Sequence, residues 1–154
     1  MFYRPYLSEV LEKCAQHFDM HLFTSSDKEY ADMIIKQIDP EQKYFKERWY
    51  KSSCKRTENG MYIKDLSLLN LPLDRVVLVD NSSLCFAYQL LNGVPIVSFT
   101  GSQNDTELMS LFDYLQSLVK VPDVRKANLE YFKFPLYFMP GDQDTIFDKL
   151  FPGA

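Results

Sequence analysis

Apolar residues recur at two spacings along this chain, and the alternation between them predicts its fold class. Leu7, Val10, Leu11, Cys14 and Phe18 fall at helical intervals behind Pro5, a residue suited to a first helical turn. Residues 20–24 then read as a strand. Ser26-Asp27-Lys28-Glu29 has the form of a capping box and predicts a helix burying Tyr30, Ile34, Ile35 and Ile38. Asp39-Pro40 ends it, because a residue before proline avoids helical angles. An amphipathic piece around Tyr44-Phe45 leads into a strand at Arg48-Trp49-Tyr50. Asn59-Gly60, between Cys54–Thr57 and Met61–Lys64, predicts a hairpin turn that needs positive φ.

Further on, Pro72 lies in a loop before an apolar strand at 75–79. A second short strand, Pro95 to Phe99, follows the Asn92-Gly93 break. Asn104 or Asp105 caps a helix that turns Leu108, Leu111, Phe112, Leu115 and Leu118 inward. Pro122-Asp123 opens another. The aromatic run 131–139, stopped by Pro140-Gly141, reads as a strand or a partner-facing segment. Strands alternating with helices predict an α/β fold, with a mostly parallel sheet covered on both faces and a small β-hairpin insert. Residues 1–130 form the domain and 131–154 an aromatic C-terminal extension.

The 154 residues allow one domain with its own core, and 46% hydrophobic content marks the chain as globular. A net charge of −4 argues against a nucleic-acid partner, which needs a basic face. No run approaches the ~20 apolar residues of a membrane span, and the start has no signal-peptide pattern. Three cysteines without CxxC spacing point to a reducing compartment and no disulfide framework.

The chemistry lies at strand ends. Arg75-Val76-Val77-Leu78-Val79 runs into Asp80-Asn81, oxygen ligands of the kind Mg²⁺ accepts, where a parallel strand presents its site. Residues 20–23 run into Thr24-Ser25-Ser26, and Lys64 stands in Tyr-Ile-Lys-Asp-Leu-Ser. Hydroxyl, lysine and acid together suggest three parts of a phosphate-handling site. A nucleophile is the missing fourth. Each residue also has a plainer reading: Asp80-Asn81 as a helix cap, Lys64 as a solvated cation, Thr24 as a cap. His17 and His21 are spaced like a metal pair, but a helix ending near Phe18 puts them on different faces, as surface histidines. Cys54 and Cys85 are read as buried fillers, since no histidine lies at a spacing that would activate them.

In order and spacing, several stretches resemble the NLI-interacting-factor-like, or RNA polymerase II C-terminal-domain small-phosphatase-like, family of the haloacid-dehalogenase superfamily. They are Arg4-Pro5, Leu22-Phe23-Thr24-Ser25-Ser26, Glu29-Tyr30-Ala31-Asp32, Ser53-Cys54, Tyr62-Ile63-Lys64-Asp65-Leu66-Ser67, Val79-Asp80-Asn81-Ser82, Asn92-Gly93-Val94-Pro95-Ile96 and Asp105-Thr106-Glu107-Leu108. The resemblance implies a three-layer fold and a Mg²⁺-dependent phosphoserine or phosphothreonine phosphatase mechanism. In it, one aspartate of a DxDx[TV] motif attacks phosphorus and a second protonates the leaving oxygen. By position, Thr24 bonds the phosphoryl group, Lys64 neutralises it, and Asp80 and Asn81 complete the metal site. Lys51 would grip substrate where family members often carry Arg-Glu, with loss of bidentate recognition.

Only three residues precede Arg4, so the DxDx[TV] strand, central in the family, is expected to be missing. Each buried unpaired backbone group costs about 1–3 kcal/mol, so the sheet must be completed by a partner chain, by the tail, or by the flanking strands closing up. Asp142-Gln143-Asp144-Thr145 imitates the motif, with Thr145 one position early. The expectation is a phosphatase-type domain without its catalytic aspartates, binding no Mg²⁺ firmly and acting as an interaction subunit with a protein partner. The alternative is an active Mg²⁺-dependent phosphatase whose first segment lies on another chain or outside this sequence. Relatives imply an intracellular setting: nuclear or cytoplasmic for the close ones, mitochondrial for a distant translocase subunit.

Overall fold

The structure, a computed structural model, describes residues 2–133. Its elements run α1 (Leu7–Ala15), β1 (Met20–Phe23), α2 (Lys28–Ile38), β2 (Phe45–Trp49), β3 (Lys55–Arg56), β4 (Tyr62–Ile63), β5 (Leu78–Asp80), β6 (Gly93–Pro95), α3 (Glu107–Leu118) and α4 (Val124–Phe132). Short 3₁₀ turns at Leu66–Leu69, Leu73–Arg75 and Ser83–Asn92 join the later strands. The α/β class and the parallel strands are as the hydrophobic pattern predicts.

The sheet is not continuous. Among the described residues the strands form three separate pairs: β1 parallel to β2, β5 parallel to β6, and β3 antiparallel to β4. The flanking strands β1 and β5 have not closed up on each other.

One helical layer supports both inner strands. Val10 and Cys14 of α1, Phe112, Leu115 and Leu118 of α3, and Val124 of α4 make a buried cluster. Met20 of β1, with Val77 and Val79 of the β5 segment, packs on it. A second cluster joins Leu66, Leu78 and Phe86. Arg75 fixes the end of α3, donating to the carbonyls of Val119 (3.2 Å) and Val121. Those carbonyls lack partners within the helix, so a cation there both bonds and offsets the dipole. Buried Asn92 serves similarly, donating to Leu73 (2.6 Å) and Val76 (2.7 Å).

Several local expectations change. The Ser26 capping box does not form: Asp27 is the N-cap without a side-chain bond, and the Ser26 N–H turns back to Thr24 Oγ1 at 3.1 Å. The buried residues of α2 are Ala31 and Ile35, while Tyr30 is 54% exposed. Only Gly60 takes positive φ at the hairpin, in a four-residue turn closed by its N–H to the Thr57 carbonyl at 2.9 Å. Asn59 needs no such angle. The last strand is Gly93–Pro95, not Pro95–Phe99. It begins at glycine because Phe86 lies flat on that backbone. His21 is half-buried, 5.5 Å from the Trp49 ring, so it is no surface histidine. Tyr131 and Phe132 end α4, in helix rather than strand, and the rest of the aromatic run lies outside the described residues.

A Cβ on Gly93 would stand 2.1 Å from Phe86 Cδ2, closer than any side chain tolerates, and Phe86 is 1% exposed with nowhere to go. Gly93→Ala should lower stability by about 1–3 kcal/mol through overpacking. A urea titration would show the midpoint fall, and an unchanged midpoint would contradict this packing.

Candidate functional site

β1 and β5 deliver their C-terminal ends to one place. Thr24 and Ser25 follow β1, Asp80 and Asn81 close β5, and Tyr62 and Lys64 arrive from the hairpin. Together with Met61, Ser82, Leu84 and Cys85 they line a cleft of about 440 Å³. The cleft sits at the carboxyl ends of parallel strands, where open α/β sheets hold ligands.

Lys64 is held at both ends. Its N–H donates to the Cys85 carbonyl at 2.8 Å, tying the hairpin exit to the 3₁₀ segment. Its ammonium donates to Asp80 Oδ2, and each residue is only 8% exposed. The other Asp80 oxygen accepts the Ser82 N–H at 2.8 Å. These contacts hold the buried side chains in one direction. Thr24 donates its N–H to Trp49 at 2.9 Å, which fixes it at the strand end, and the Cys54 thiol lies 3.7 Å from the Thr24 carbonyl. Burial pushes the Cys54 and Cys85 thiols up from the ordinary cysteine value, which disfavours the thiolate.

Four of the five predicted site residues therefore meet: Thr24, Lys64, Asp80 and Asn81. Lys51 does not line the cleft. It pairs with Asp27 at 3.5 Å and stands 5.7 Å from the centre of the Tyr62 ring, itself a cleft residue. The plain reading of Lys64 as a solvated cation fails on burial. The capping role of Asp80 survives in part, through Ser82. The Asn81 side chain donates to Ser98 Oγ at 2.9 Å and so holds the loop after β6. Ser25 and Ser82 stand in the matched stretches, but a plain serine and a backbone N–H carry no signature that would assign them a role in the cleft. Asp142 and Asp144 lie outside the described residues.

Mg²⁺ asks for about six oxygen ligands, several of them waters. Among the described residues no group of three or more His, Cys, Asp or Glu side chains gathers to hold a metal. Asp80 is committed to Lys64, and Asn81 offers one carbonyl. These two need further oxygen ligands before they make a magnesium site.

Arg4 locks the loop after β6 from the other side. Its guanidinium meets Asp105 through two bonds, 2.8 and 2.9 Å, donates to the Val97 carbonyl at 2.7 Å, and lies 5.7 Å from the Phe99 ring centre. The Asp105 carboxyl is thereby held below the usual carboxylate range.

The fold and this cleft define a haloacid-dehalogenase-like α/β domain. Solved structures of the same fold include the fission yeast RNA polymerase II CTD phosphatase Fcp1 bound to beryllium fluoride, at TM-score 0.53 and 18% identity, covering 88% of this chain and 40% of that one. Residues 1–125 match the sequence model of the NLI interacting factor-like phosphatases, and the chain belongs to that family. It is 42% identical to CTD small phosphatase-like protein 2 of Dictyostelium discoideum over 84% of its own length and 23% of the relative's. The human CTD small phosphatase-like protein is 36% identical over 79% of this chain and 43% of that protein. Nuclear envelope morphology protein 1 of Schizosaccharomyces pombe is 34% identical over 79% and 25%. The chain thus spans less than half the length of these relatives. No helix among the described residues is long and apolar enough to cross a membrane.

Two outcomes are expected. Lys64→Met leaves a buried carboxylate unpaired and should cost about 3–5 kcal/mol, whereas adding Asp80→Leu removes the orphan and recovers most of that; equal urea midpoints for the single and double variants would contradict the pairing. The Arg4–Asp105 pair stabilises the fold above the ordinary carboxylate titration near about pH 4. That stabilisation is lost as pH falls through the lowered Asp105 value. Arg4→Ala should therefore shrink the drop in urea midpoint between about pH 7 and about pH 3, and an unchanged drop would show the pair to be idle.

Proposed function

We propose that residues 2–133 form the phosphoryl-receiving part of a protein serine/threonine phosphatase site, and that alone they bind without turning over. In that role the domain is an interaction subunit of a larger assembly. The observation that carries this reading is the buried Lys64 ammonium, aimed by Asp80 into a cleft beside Thr24, with no uncommitted carboxylate among the described lining residues. A cation and a hydroxyl stabilise a phosphoryl group. Transfer to the protein needs an acid to attack phosphorus, and the family's DxDx[TV] motif does not occur in the sequence. In this reading Thr24 donates its hydroxyl to a phosphoryl oxygen, Lys64 offsets the charge, and Lys51 contributes a rim cation beside Tyr62. Asp80 and Asn81 hold Mg²⁺ only when further acids join them. The name of one relative, Nuclear envelope morphology protein 1, supports a nuclear setting.

One observation favours a second reading, an active Mg²⁺-dependent phosphatase whose DxDx[TV] strand comes from elsewhere. Thr24, Lys64 and Asp80 remain gathered and pre-aimed, as a working site needs.

The full 154-residue chain, assayed with Mg²⁺ and a phosphoserine peptide, should release no phosphate above buffer. It should still bind that peptide, and Lys64→Gln should weaken the binding at least about tenfold, the loss of one charge-assisted bond. Phosphate release that disappears in Asp80→Ala would overturn the non-catalytic reading, and absence of any binding would overturn the phosphoryl reading.

A further inference from the structure

We propose that Arg56, on the hairpin beside the cleft, is a specificity-determining residue that reads a second acidic group on the phosphorylated substrate. The ligand it fits is a peptide with a carboxylate or a further phosphate a few residues from the phosphorylated one.

Strand register puts this cation on the cleft side. Arg56 of β3 stands directly opposite Tyr62 of β4, and Lys55 stands opposite Ile63. Residues directly opposite in an antiparallel pair share a face, and successive residues alternate between faces. Tyr62 lines the cleft, whereas Ile63 is buried and does not. Arg56 therefore belongs to the cleft face of the hairpin and Lys55 to the other. The guanidinium lies back over the turn, with Nη2 3.6 Å from where a Cβ on Gly60 would be. Glycine leaves that space open, and the next residue, Met61, is itself part of the cleft wall. Along this wall Lys64 stands at the inner end and the Arg56 cation at the outer. Residues 60 and 64 are separated by about 13 Å of chain at most, and Tyr62 and Lys64 by about half that, at ~3.3 Å per extended residue. A peptide bound in extended form covers the same span in about two to four residues.

The Arg56 charge is uncommitted. Asp105 partners Arg4, Asp27 partners Lys51 and Asp80 partners Lys64. Among the described residues, no ion pair or side-chain hydrogen bond engages exposed Arg56, not even with exposed Glu58 in the same turn. With a net charge of −4, the chain as a whole repels an acidic peptide. Cations gathered at one mouth concentrate such a ligand there. A guanidinium also offers a planar fork that meets a carboxylate or phosphate through two parallel bonds, which a lysine cannot.

This inference rests on the phosphoryl reading of the cleft, and one experiment separates the two. Binding to the full 154-residue chain is measured for a phosphoserine peptide with neutral flanks. It is compared with peptides carrying aspartate, or a second phosphoserine, about three residues to either side. In its better placement, aspartate should tighten binding at least about threefold, within the range of an exposed ion pair. The second phosphate should tighten it about tenfold, through charge-assisted bonds. Both gains should vanish in Arg56→Gln, persist in Lys55→Gln and shrink as salt is added. A gain with only one of the two groups supports the proposal and names the anion. No gain with either group, a gain that survives Arg56→Gln, or an equal loss in Lys55→Gln would overturn it. If the neutral phosphopeptide binds through Lys64 and the acidic ones bind no better, this proposal alone falls. If no phosphopeptide binds, the phosphoryl reading falls and takes this one with it.

Discussion

Everything in the cleft depends on the contact between the Lys64 ammonium and the Asp80 carboxylate. Taking either charge out of water alone would cost several kcal/mol, and together they are tolerated because each satisfies the other. The contact also does architectural work. It fastens the residue after β4 to the last residue of β5, two segments that share no sheet. The Lys64 N–H on Cys85 and the Ser82 N–H on Asp80 extend the same knot into the following turn. Removing one partner therefore loosens the hairpin, the strand end and the turn together.

The fold was legible wherever burial is periodic. The helices holding Val10 and Cys14, Phe112 and Leu115 were readable because their apolar stripes face one cluster. Strand ends were less so. Arg75 looks like the start of a strand but caps the end of α3, and Gly93 begins β6 because of a ring that lies seven residues earlier in sequence. Neither tertiary cause leaves a local mark. Of the site, Thr24, Lys64, Asp80 and Asn81 could be found because residue types with one chemistry sit at the ends of apolar runs. Lys51 was assigned by position in a family pattern, and position does not say that Asp27 draws the side chain aside. Tyr30 was placed inside by its spacing, yet the buried face of α2 centres on Ala31 and Ile35.

The region that matches the family model includes the segments that converge on the cleft. The matched region holds the hydroxyl, the cation and the acid of the second strand pair, each on its own segment. Two parallel pairs stand on a shared helical floor with their inner edges unbonded among the described residues. Among the described residues the β1 side chains stay partly exposed.

The clamp between Arg4 and Asp105 joins positions 101 residues apart and so gathers every strand of the described chain into one non-covalent ring. Such a ring can shut only after α1 and α3 have docked, late on the route to the compact state. Its strength then governs how long the assembled molecule stays closed, and has little bearing on how quickly it first comes together.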